Sequence, residues 1–371
     1  MNLTIPVTFQ GTHAYDVVID AGALFSYLKT AFLGGALSGF QNRRFLILTD
    51  ETVAPLYADA LRKALAPFAK STDCMILPAG EQYKTLDEVR RVYDTLIRKS
   101  FDRKDLLFAL GGGVIGDMTG FIAATYLRGI AFVQLPTTLL SQTDASVGGK
   151  CGVDFDGYKN MVGAFHMPRL VVIHPQVLRS LPDREFCSGM AEVIKHGLIR
   201  DRDYAARLLR EKERILQKDP DILAGVIARS VEIKRDIVEH DPLEQGDRAL
   251  LNFGHTIGHA IEKASGFTML HGECVSLGCM AASFLSAKRG LLTEEKVAYI
   301  RSLFEAFLLP VRCELPSDPR AILSLIRSDK KMDAGQIRFV LLKDIGDALI
   351  DSTVTKEEML DAIGTLPKTA S

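Results

Sequence analysis

Several features that would assign a protein to a specialised class are missing from this sequence of 371 residues. It contains no run of about 18 apolar residues, the length that a membrane-spanning helix needs. The opening stretch "MNLTIPVTFQ" alternates like a strand and lacks the charged start and apolar core of a signal peptide. We therefore expect a protein without a membrane span or a secretion signal.

Cysteine pairs and excess charge are missing as well. The six cysteines form no CxxC pair and no regular spacing, which favours reduced thiols in a cytoplasmic protein. The net charge of -1 gives no overall field that would attract nucleic acid or an acidic membrane. The peptidase motif HExxH is absent, which argues against hydrolysis by that route. With 47% hydrophobic and 25% charged residues, the composition is that of an ordinary soluble globular protein.

The pattern of apolar residues predicts two domains of different class. In the first part, apolar runs such as "RRFLILTD", "DLLFALG", "IAFVQLP" and "RLVVIHP" alternate with helical segments. This arrangement predicts an α/β fold with a Rossmann-like, mostly parallel sheet and helices on both faces. After Pro175 helical periods dominate to the end of the chain. We expect an NAD-binding α/β domain at 1–178 and an all-helical metal- and substrate-binding domain at 179–371.

Three of the eight histidines lie within "LNFGHTIGHAIEKASGFTMLHGE", residues 251–273. His255 and His259 are four apart and share a helix face, and His271 opens the next helical run. Imidazole is the commonest ligand of zinc-like ions, so the cluster predicts a metal site. The alternative is three hydrogen-bonded polar residues at a helix junction. Glu192 is a further candidate ligand, because one glutamate with two histidines forms a known catalytic zinc set with an open position.

A glycine-rich turn follows the predicted strand "LFALG". Gly111, Gly113 and Gly116 have the GxGxxG spacing that lets backbone N–H groups approach a pyrophosphate, although a plain tight turn is the alternative. The acid expected about 20 residues downstream for a ribose is absent from "GIAFVQLPTTLL". Asp50 ends an upstream strand and could reach a ribose instead, and "GEQYK", residues 80–84, ends another strand.

Several lysines and arginines occur in apolar or glycine-rich sequence surroundings, which argues against simple solvated surface charges. Lys195 follows Glu192 by three in an apolar helix, and Lys150 lies in a Gly-Gly turn of a glycine-rich loop that continues to Lys159 and Asn160. Confined cations usually have an anionic partner, which here indicates a small phosphorylated or carboxylated substrate. Further candidates for binding such a substrate are the cations Arg128, Lys234, Arg248, Lys330 and Lys331 and the amide of Asn252.

Taken together, these motifs resemble those of the 3-dehydroquinate synthase family. The matching stretches, in order, are GGGVIGD at 111–117, PTTLLSQ-D-SVGGK at 136–150, KN at 159–160, AEVIK at 191–195 and NFGHTIGHAIE with a later HGE. The resemblance covers nearly the whole chain, from the strand ending at Asp50 to "DKK" at 329–331. It implies a lyase that converts 3-deoxy-D-arabino-heptulosonate 7-phosphate to 3-dehydroquinate and phosphate, the second step of the shikimate pathway towards chorismate and the aromatic amino acids.

The resemblance also implies cofactors, a partner and residue roles. NAD, a divalent metal (zinc, or cobalt) and a homodimer are expected. The implied metal ligands are Glu192, His255 and His271. The implied contacts to the substrate phosphate are Lys150, Asn160, Asn252, His259, one of Lys330 and Lys331, and Arg128 from the dimer partner. Contacts to the substrate's carboxylate and hydroxyls would come from Lys195, Lys234 and Arg248. The implied NAD contacts are Asp50, Glu81, Lys84, Gly112, Gly113, Asp117, Thr137, Thr138, Asp144, Lys150 and Lys159.

The implied chemistry uses NAD without consuming it. A substrate hydroxyl is oxidised, phosphate leaves by elimination, the hydride returns, the ring opens, and an intramolecular aldol step closes a carbocycle. Rival interpretations are another sugar-phosphate cyclase, a metal-dependent polyol dehydrogenase that releases NADH, and a non-catalytic metal- or nucleotide-binding regulator. Lys234, Arg248, Asn252 and His259 all fit the dehydroquinate pattern, and a regulator would not need Lys150 or Lys195.

Overall fold

The computed structural model describes residues 2–315, 317–330 and 338–367, with the backbone alone at 327–330. The strands are β1 Asn2–Phe9, β2 Thr12–Asp20, β3 Arg43–Asp50, β4 Ala69–Leu77, β5 Leu106–Gly111, β6 Ala131–Pro136, β7 Lys150–Phe155, β8 Tyr158–Phe165, β9 Leu170–Ile173, β10 Phe339–Asp344 and β11 Asp347–Asp351. The helices are α1 Tyr27–Gly34, α2 Asp59–Leu65, α3 Leu86–Arg98, α4 Gly113–Thr125, α5 Asp183–Arg200, α6 Arg202–Arg210, α7 Lys212–Leu216, α8 Pro220–His240, α9 His255–Ala264, α10 His271–Lys288, α11 Glu294–Ala306, α12 Pro319–Lys330 and α13 Lys356–Gly364.

Seven strands form one sheet in the order β1-β2-β9-β6-β5-β3-β4. Among the strands that the structure describes in this sheet, only β1 and β2 pair antiparallel, which confirms the predicted Rossmann-like, mostly parallel architecture. Alternate side chains of β3 pack into different hydrophobic cores on the two faces of the sheet. Phe45 and Ile47 belong to one core, and Leu46 and Leu48 belong to the other. Because both faces are covered, the central strands are continuous apolar runs rather than alternating ones.

The order of the strands creates a ligand position at one edge of the sheet. From β3 the chain moves outward to β4 and then returns to β5 on the other side of β3, so the strand order reverses between β3 and β5. In open parallel sheets such a switch point, at the carboxyl ends of the strands, is where ligands bind. Asp50 ends β3 and Gly111 ends β5, so both lie at this edge.

One sequence prediction is wrong in this region. The stretch around Lys150, Lys159 and Asn160 is not a glycine-rich loop but an antiparallel hairpin, β7–β8. Its glycines permit close approach: a Cβ on Gly163 would lie 2.5 Å from the Cys151 carbonyl oxygen of the partner strand. Nor is Lys150 confined, because its side chain is exposed at the start of β7.

The chain divides into two compact units, Met1–Leu181 with Leu223–Arg235, and Pro182–Ile222 with Asp236–Ser371. The first unit contains the seven-stranded sheet and the β7–β8 hairpin. The second is helical, as predicted for the C-terminal part, and carries in addition the two-stranded hairpin β10–β11. Across the described ranges, none of the helices combines the length and apolar character needed to cross a membrane.

Candidate active site

Three candidate metal ligands meet in the second unit. Glu192 comes from α5, His255 from the start of α9 and His271 from the start of α10. The Glu192 Oε1 atom lies 3.4 Å from His255 Nε2 and 3.3 Å from His271 Nε2. Nitrogen atoms of His255, His259 and His271 also all lie within 4.8 Å of one another.

These distances fit a tetrahedral ion. With metal–ligand bonds of about 2.05 Å, neighbouring ligand atoms of a tetrahedral zinc site are about 3.3 Å apart. The Nδ1 atom of His255 lies 3.2 Å from the Phe253 carbonyl oxygen. An N–H donated to that carbonyl fixes the tautomer and leaves Nε2 as the ligand atom. The donor set of one carboxylate and two imidazoles therefore suits zinc or cobalt.

Glycines bring the three helices close enough for their side chains to meet. A Cβ on Gly272 of α10 would lie 1.9 Å from the Ser188 carbonyl oxygen of α5. Gly278 lies further along the same helix, and a Cβ there would lie 1.9 Å from the carbonyl oxygen of Gly254, the residue before α9. Gly254 itself has φ of 81°, which favours glycine. The small residues of "NFGHTIGHAIE" and "HGE" thus set the distances between the ligand-bearing backbones.

The start of α10 is further fixed by Glu273. Its Oε2 atom accepts the Leu270 backbone N–H at 2.9 Å, as in a capping box. Arg184 of α5 donates to the same carboxylate through Nε at 2.7 Å and Nη2 at 2.8 Å. Burial raises the pKa of Glu273, but the Arg184 bonds outweigh it and the net pKa is lowered. The cap and the ion pair together hold His271, the first residue of α10, beside α5.

The electrostatics of the cluster favour an ionised carboxylate. Burial raises the pKa of the fully buried Glu192, but the ion pair with Lys195 and the two histidines outweigh it, so that its pKa lies well below the ordinary value. Burial lowers the pKa of His271, yet Glu192 and Glu262 raise it to about 9 overall. A buried carboxylate that stays negative is a strong ligand for a divalent ion.

Three other predicted residues of the second unit, Arg248, Asn252 and His259, lie on α9 or just before it in sequence. Arg248 is buried in the 3₁₀ turn Asp247–Asn252, where its Nη1 donates to the Pro242 carbonyl at 2.6 Å. At the end of the same turn Asn252 donates through Nδ2 to Glu244 Oε1 at 3.2 Å. His259 is exposed, with its ring centroid 5.0 Å from that of His255. Lys330 is the last residue of α12, and Lys331 lies outside the described residues.

Within the first unit, Lys84 connects two residues predicted to serve different ligands. Its buried Nζ donates to Asp117 Oδ2 at 2.6 Å and to Asn160 Oδ1 at 2.5 Å. Burial lowers the pKa of Lys84, but Asp117 and Glu81 outweigh it and the net pKa is raised. Asn160 has φ of 52° and donates its backbone N–H to Asp154 Oδ1 at 2.8 Å. Lys84 therefore joins Asp117, like itself a predicted NAD contact, to the predicted phosphate contact Asn160.

A second such pair joins Lys234 to Asp144. Lys234, from the part of α8 that belongs to the first unit, lies with its Nζ 2.7 Å from Asp144 Oδ1 and 2.6 Å from the Asp144 carbonyl oxygen. Lys159 of β8 lies 3.6 Å from Glu81 Oε1. The structure thus brings these predicted NAD and substrate residues together in pairs.

The carboxyl edge of the sheet fits NAD. Asp50 Oδ1 accepts the N–H groups of Thr52 and Val53 at 2.9 and 3.0 Å, which fixes the carboxylate at the end of β3. Gly112 and Gly113 form the start of α4, where backbone N–H groups and the helix dipole attract phosphate. The buried Thr137 Oγ1 has no hydrogen-bond partner within the described part of the chain. Thr138 exchanges hydrogen bonds with the side chain of Ser141.

Arg128 lies in strained backbone at the end of the 3₁₀ turn Tyr126–Arg128. Leu127 and Arg128 have consecutive φ values of 51° and 64°, an uncommon conformation for residues other than glycine. Both side chains are exposed. Strain of this kind usually persists where function or an interface requires it.

One residue of the metal cluster was missed by sequence reasoning. Glu262 of α9 is buried, and its Oε2 atom lies 3.7 Å from His271 Nδ1. The available signal was its spacing, seven residues after His255 and therefore on the same helix face. Asp154, which positions Asn160, carried no such signal because its strand was interpreted as a loop.

Comparisons with known proteins show the family of the chain. The family models for the 3-dehydroquinate synthase N-terminal and C-terminal regions match residues 74–188 and 189–332. A 3-dehydroquinate synthase of Shewanella piezotolerans is 47% identical over 355 residues, 95% of this chain and 97% of that protein. One of Symbiobacterium thermophilum is 43% identical over 350 residues, 94% and 96%. The solved structure of a Streptomyces hygroscopicus 2-epi-5-epi-valiolone synthase with NAD+ and Zn2+ bound has a TM-score of 0.87 at 29% identity, covering 97% of this chain and 98% of that one.

Proposed function

The chain belongs to the 3-dehydroquinate synthase family, and from this premise we propose how its residues convert 3-deoxy-D-arabino-heptulosonate 7-phosphate to 3-dehydroquinate and phosphate. NAD and a zinc-class ion are its cofactors, as in the structural neighbour that contains both. When bound, NAD accepts and returns a hydride, and the metal makes the substrate hydroxyl that is oxidised more acidic.

In this proposal Glu192, His255 and His271 hold the metal. The observation that carries the proposal is their geometry: the Glu192 Oε1 atom lies 3.4 and 3.3 Å from the two histidine Nε2 atoms. Three protein ligands leave a fourth position for substrate oxygens, as catalytic zinc sites require. His259 lies beside this set with an exposed side chain, and we assign it a contact to the substrate phosphate.

The first unit would hold NAD at the carboxyl edge of its sheet. The start of α4, at Gly112 and Gly113, would receive the pyrophosphate, and Asp50 a ribose. The unpartnered Thr137 hydroxyl would donate to the cofactor. Further contacts in this proposal come from Glu81, Lys84, Asp117, Thr138, Asp144, Lys150 and Lys159. Because NAD ends each cycle unchanged, these contacts have to retain it through several steps.

The substrate contacts are cations and amides suited to two anionic groups. Lys195, Lys234 and Arg248 would bind the carboxylate and hydroxyls, because guanidinium and ammonium groups pair strongly with carboxylates. The phosphate would be bound by Lys150, Asn160, Asn252, His259, Arg128 and one of Lys330 and Lys331. By holding the phosphate in place, these residues allow it to accept the proton lost during its own elimination, so that no separate general base is needed.

The proposal is tested by following phosphate release from the heptulosonate phosphate with NAD present. We expect release to stop after a chelator removes the metal and to return with zinc. The variant E192A should bind no zinc and release no phosphate, whereas E305Q, a change to an exposed carboxylate of α11, should behave as the unaltered enzyme. Absence of phosphate release from zinc-loaded enzyme would refute the proposal, and steady NADH production from a polyol would indicate a dehydrogenase instead.

We also propose a homodimer in which Arg128 serves the site of the partner subunit. Support comes from the strained, exposed Leu127 and Arg128, and from the apolar side chains exposed on β7–β8, where Phe155 is 50% and Phe165 44% exposed. Exposed apolar groups on one hairpin favour an interface.

Mixing two inactive variants tests the shared arginine. R128A supplies an intact Lys195 and K195A supplies an intact Arg128, so a mixed dimer contains one complete site out of two. Random subunit exchange makes half the dimers mixed and restores roughly a quarter of full activity. No recovery after exchange, with mixed dimers demonstrated by native mass spectrometry, would place Arg128 in its own subunit's site.

The biological setting is likewise proposed. We place the reaction second in the shikimate pathway, in the cytoplasm, where the six free thiols would stay reduced. Expression of the chain should restore growth without aromatic amino acids to a bacterium lacking this step. Failure of an active, expressed enzyme to restore growth, or its recovery outside the cytoplasmic fraction, would contradict the assignment.

A further inference from the structure

We propose that Glu262 is a positioning residue that orients His271 for metal binding through the ring edge opposite the metal. The inference rests on the proposed function, because it takes Glu192, His255 and His271 as the ligands. Three observations support the inference: the position of Glu262 on α9, the burial of the Glu262 side chain, and the side from which the Glu262 carboxylate faces the His271 ring.

Glu262 lies on the same face of α9 as His255 and His259, at spacings of seven and three residues. Its side chain is only 4% exposed, although an ionised carboxylate is costly to bury without polar partners. A glutamate retained in such a place needs a reason beyond packing. One basic group that faces its Oε2 atom is the imidazole of His271, whose Nδ1 atom lies 3.7 Å away.

The two carboxylates near His271 face different nitrogen atoms of its ring. Glu192 Oε1 lies 3.3 Å from Nε2, the atom assigned to the metal, whereas Glu262 Oε2 lies 3.7 Å from Nδ1. Closing the second distance to a hydrogen bond of about 2.9 Å requires a movement of about 0.8 Å. An Nδ1–H donated to Glu262 would fix the tautomer that leaves Nε2 free for the ion.

The comparison with His255 supports the same arrangement. Its Nδ1 atom lies 3.2 Å from the Phe253 carbonyl oxygen, so its outer edge also faces an acceptor. Metal-binding histidines generally have such a partner, which fixes the ring and raises its basicity. Phe253 serves His255 through the backbone, which no substitution removes. Glu262 serves His271 through a side chain, so its role is accessible to mutation.

The test measures metal binding rather than turnover. Zinc affinity is determined by competition with a chromogenic chelator for E262A, E262Q and, as a matched control, E305Q. We expect about a 10-fold or greater loss for E262Q and a loss approaching 100-fold for E262A, with no change for E305Q. The visible absorption bands of the Co2+-loaded protein should shift in both Glu262 variants, because the orientation and basicity of one ligand change.

The outcomes separate this inference from the proposed function. If the unaltered protein binds zinc and E192A does not, but both Glu262 variants keep full zinc affinity and an unshifted cobalt spectrum, Glu262 is not a positioning residue. If E192A keeps full zinc affinity, the assigned metal site itself is wrong. If circular dichroism shows that E262A does not fold, E262Q decides the question, because glutamine preserves the shape of the side chain.

Discussion

Replacing Gly272 by alanine should damage the metal site without touching a ligand. A Cβ at this position would lie 1.9 Å from the Ser188 carbonyl oxygen, whereas ordinary contacts begin at 3.4 Å. The backbones of α10 and α5 would therefore have to separate by about 1.5 Å, far beyond the roughly 0.2 Å that metal–ligand distances tolerate. In a helix the carbonyl of residue 188 accepts the N–H of residue 192, so the displacement reaches Glu192 directly.

The expected magnitudes follow from this displacement. Overpacking of a tight contact costs about 1–3 kcal/mol of unfolding free energy. For a unit of this size, that corresponds to a fall in Tm of roughly 2–4 °C per kcal/mol in the metal-free protein. Zinc affinity should fall at least about tenfold, because both Glu192 and His271 lie next to the displaced backbone.

The assay combines thermal unfolding of metal-free protein with zinc competition against a chelator. The matched control is G364A, because Gly364 ends α13 in the same unit and a Cβ there would meet nothing within 4 Å. The control should keep full zinc affinity and show no fall in Tm, with a rise of up to about 4 °C from the lower chain entropy of its unfolded state. Wild-type zinc affinity and Tm in G272A would refute the argument that this glycine sets the distance between α5 and α10.

Two further predictions concern the ion pairs. K84M should lose about 3 kcal/mol of stability and most NAD affinity, because it removes the buried cation from partly buried Asp117. K99M breaks a surface pair with Asp73 and should change stability by under about 1 kcal/mol. Equal effects of the two variants in urea unfolding and in NADH fluorescence titration would contradict this. R289A should flatten the acid dependence of stability. Hydrogen bonds from Arg289 lower the pKa of Glu358 to about 2, below the value near 4.3 of an unfolded chain. This partly exposed pair therefore contributes about 1 kcal/mol to the unfolding free energy above pH 4.5. The contribution is lost as the pH falls towards 2 and Glu358 is protonated. Parallel Tm-against-pH curves for R289A and the unaltered protein would contradict it.

The sheet could be predicted because its signals are local. Apolar runs such as β3 and β5 are buried on both faces, and a parallel sheet leaves that pattern in the sequence. The hairpin β7–β8 could not be predicted in this way, because its glycines serve close packing and resemble a loop in composition.

In the candidate site, too, local features could be predicted from the sequence, whereas contacts between distant residues could not. Histidine spacing indicated a metal cluster, but spacing alone could not separate His255 from His259, since residues four apart share a helix face. The proposal that His255 rather than His259 is the ligand takes its support from the structure, where Glu192 Oε1 lies 3.4 Å from His255 Nε2 and His259 is exposed. The pairing of Lys84 with Asn160 joins residues 76 apart in sequence, and such a contact depends on the topology of the sheet rather than on any local pattern.

The central claim is that NAD acts catalytically at this site. It is tested most directly by supplying zinc-loaded enzyme with NAD equal to the enzyme concentration and a large excess of the heptulosonate phosphate. The account predicts that phosphate release exceeds the NAD supply many times over, with no lasting rise in absorbance from NADH. Release that stops at one phosphate per NAD, with NADH accumulating in equal amount, would contradict it.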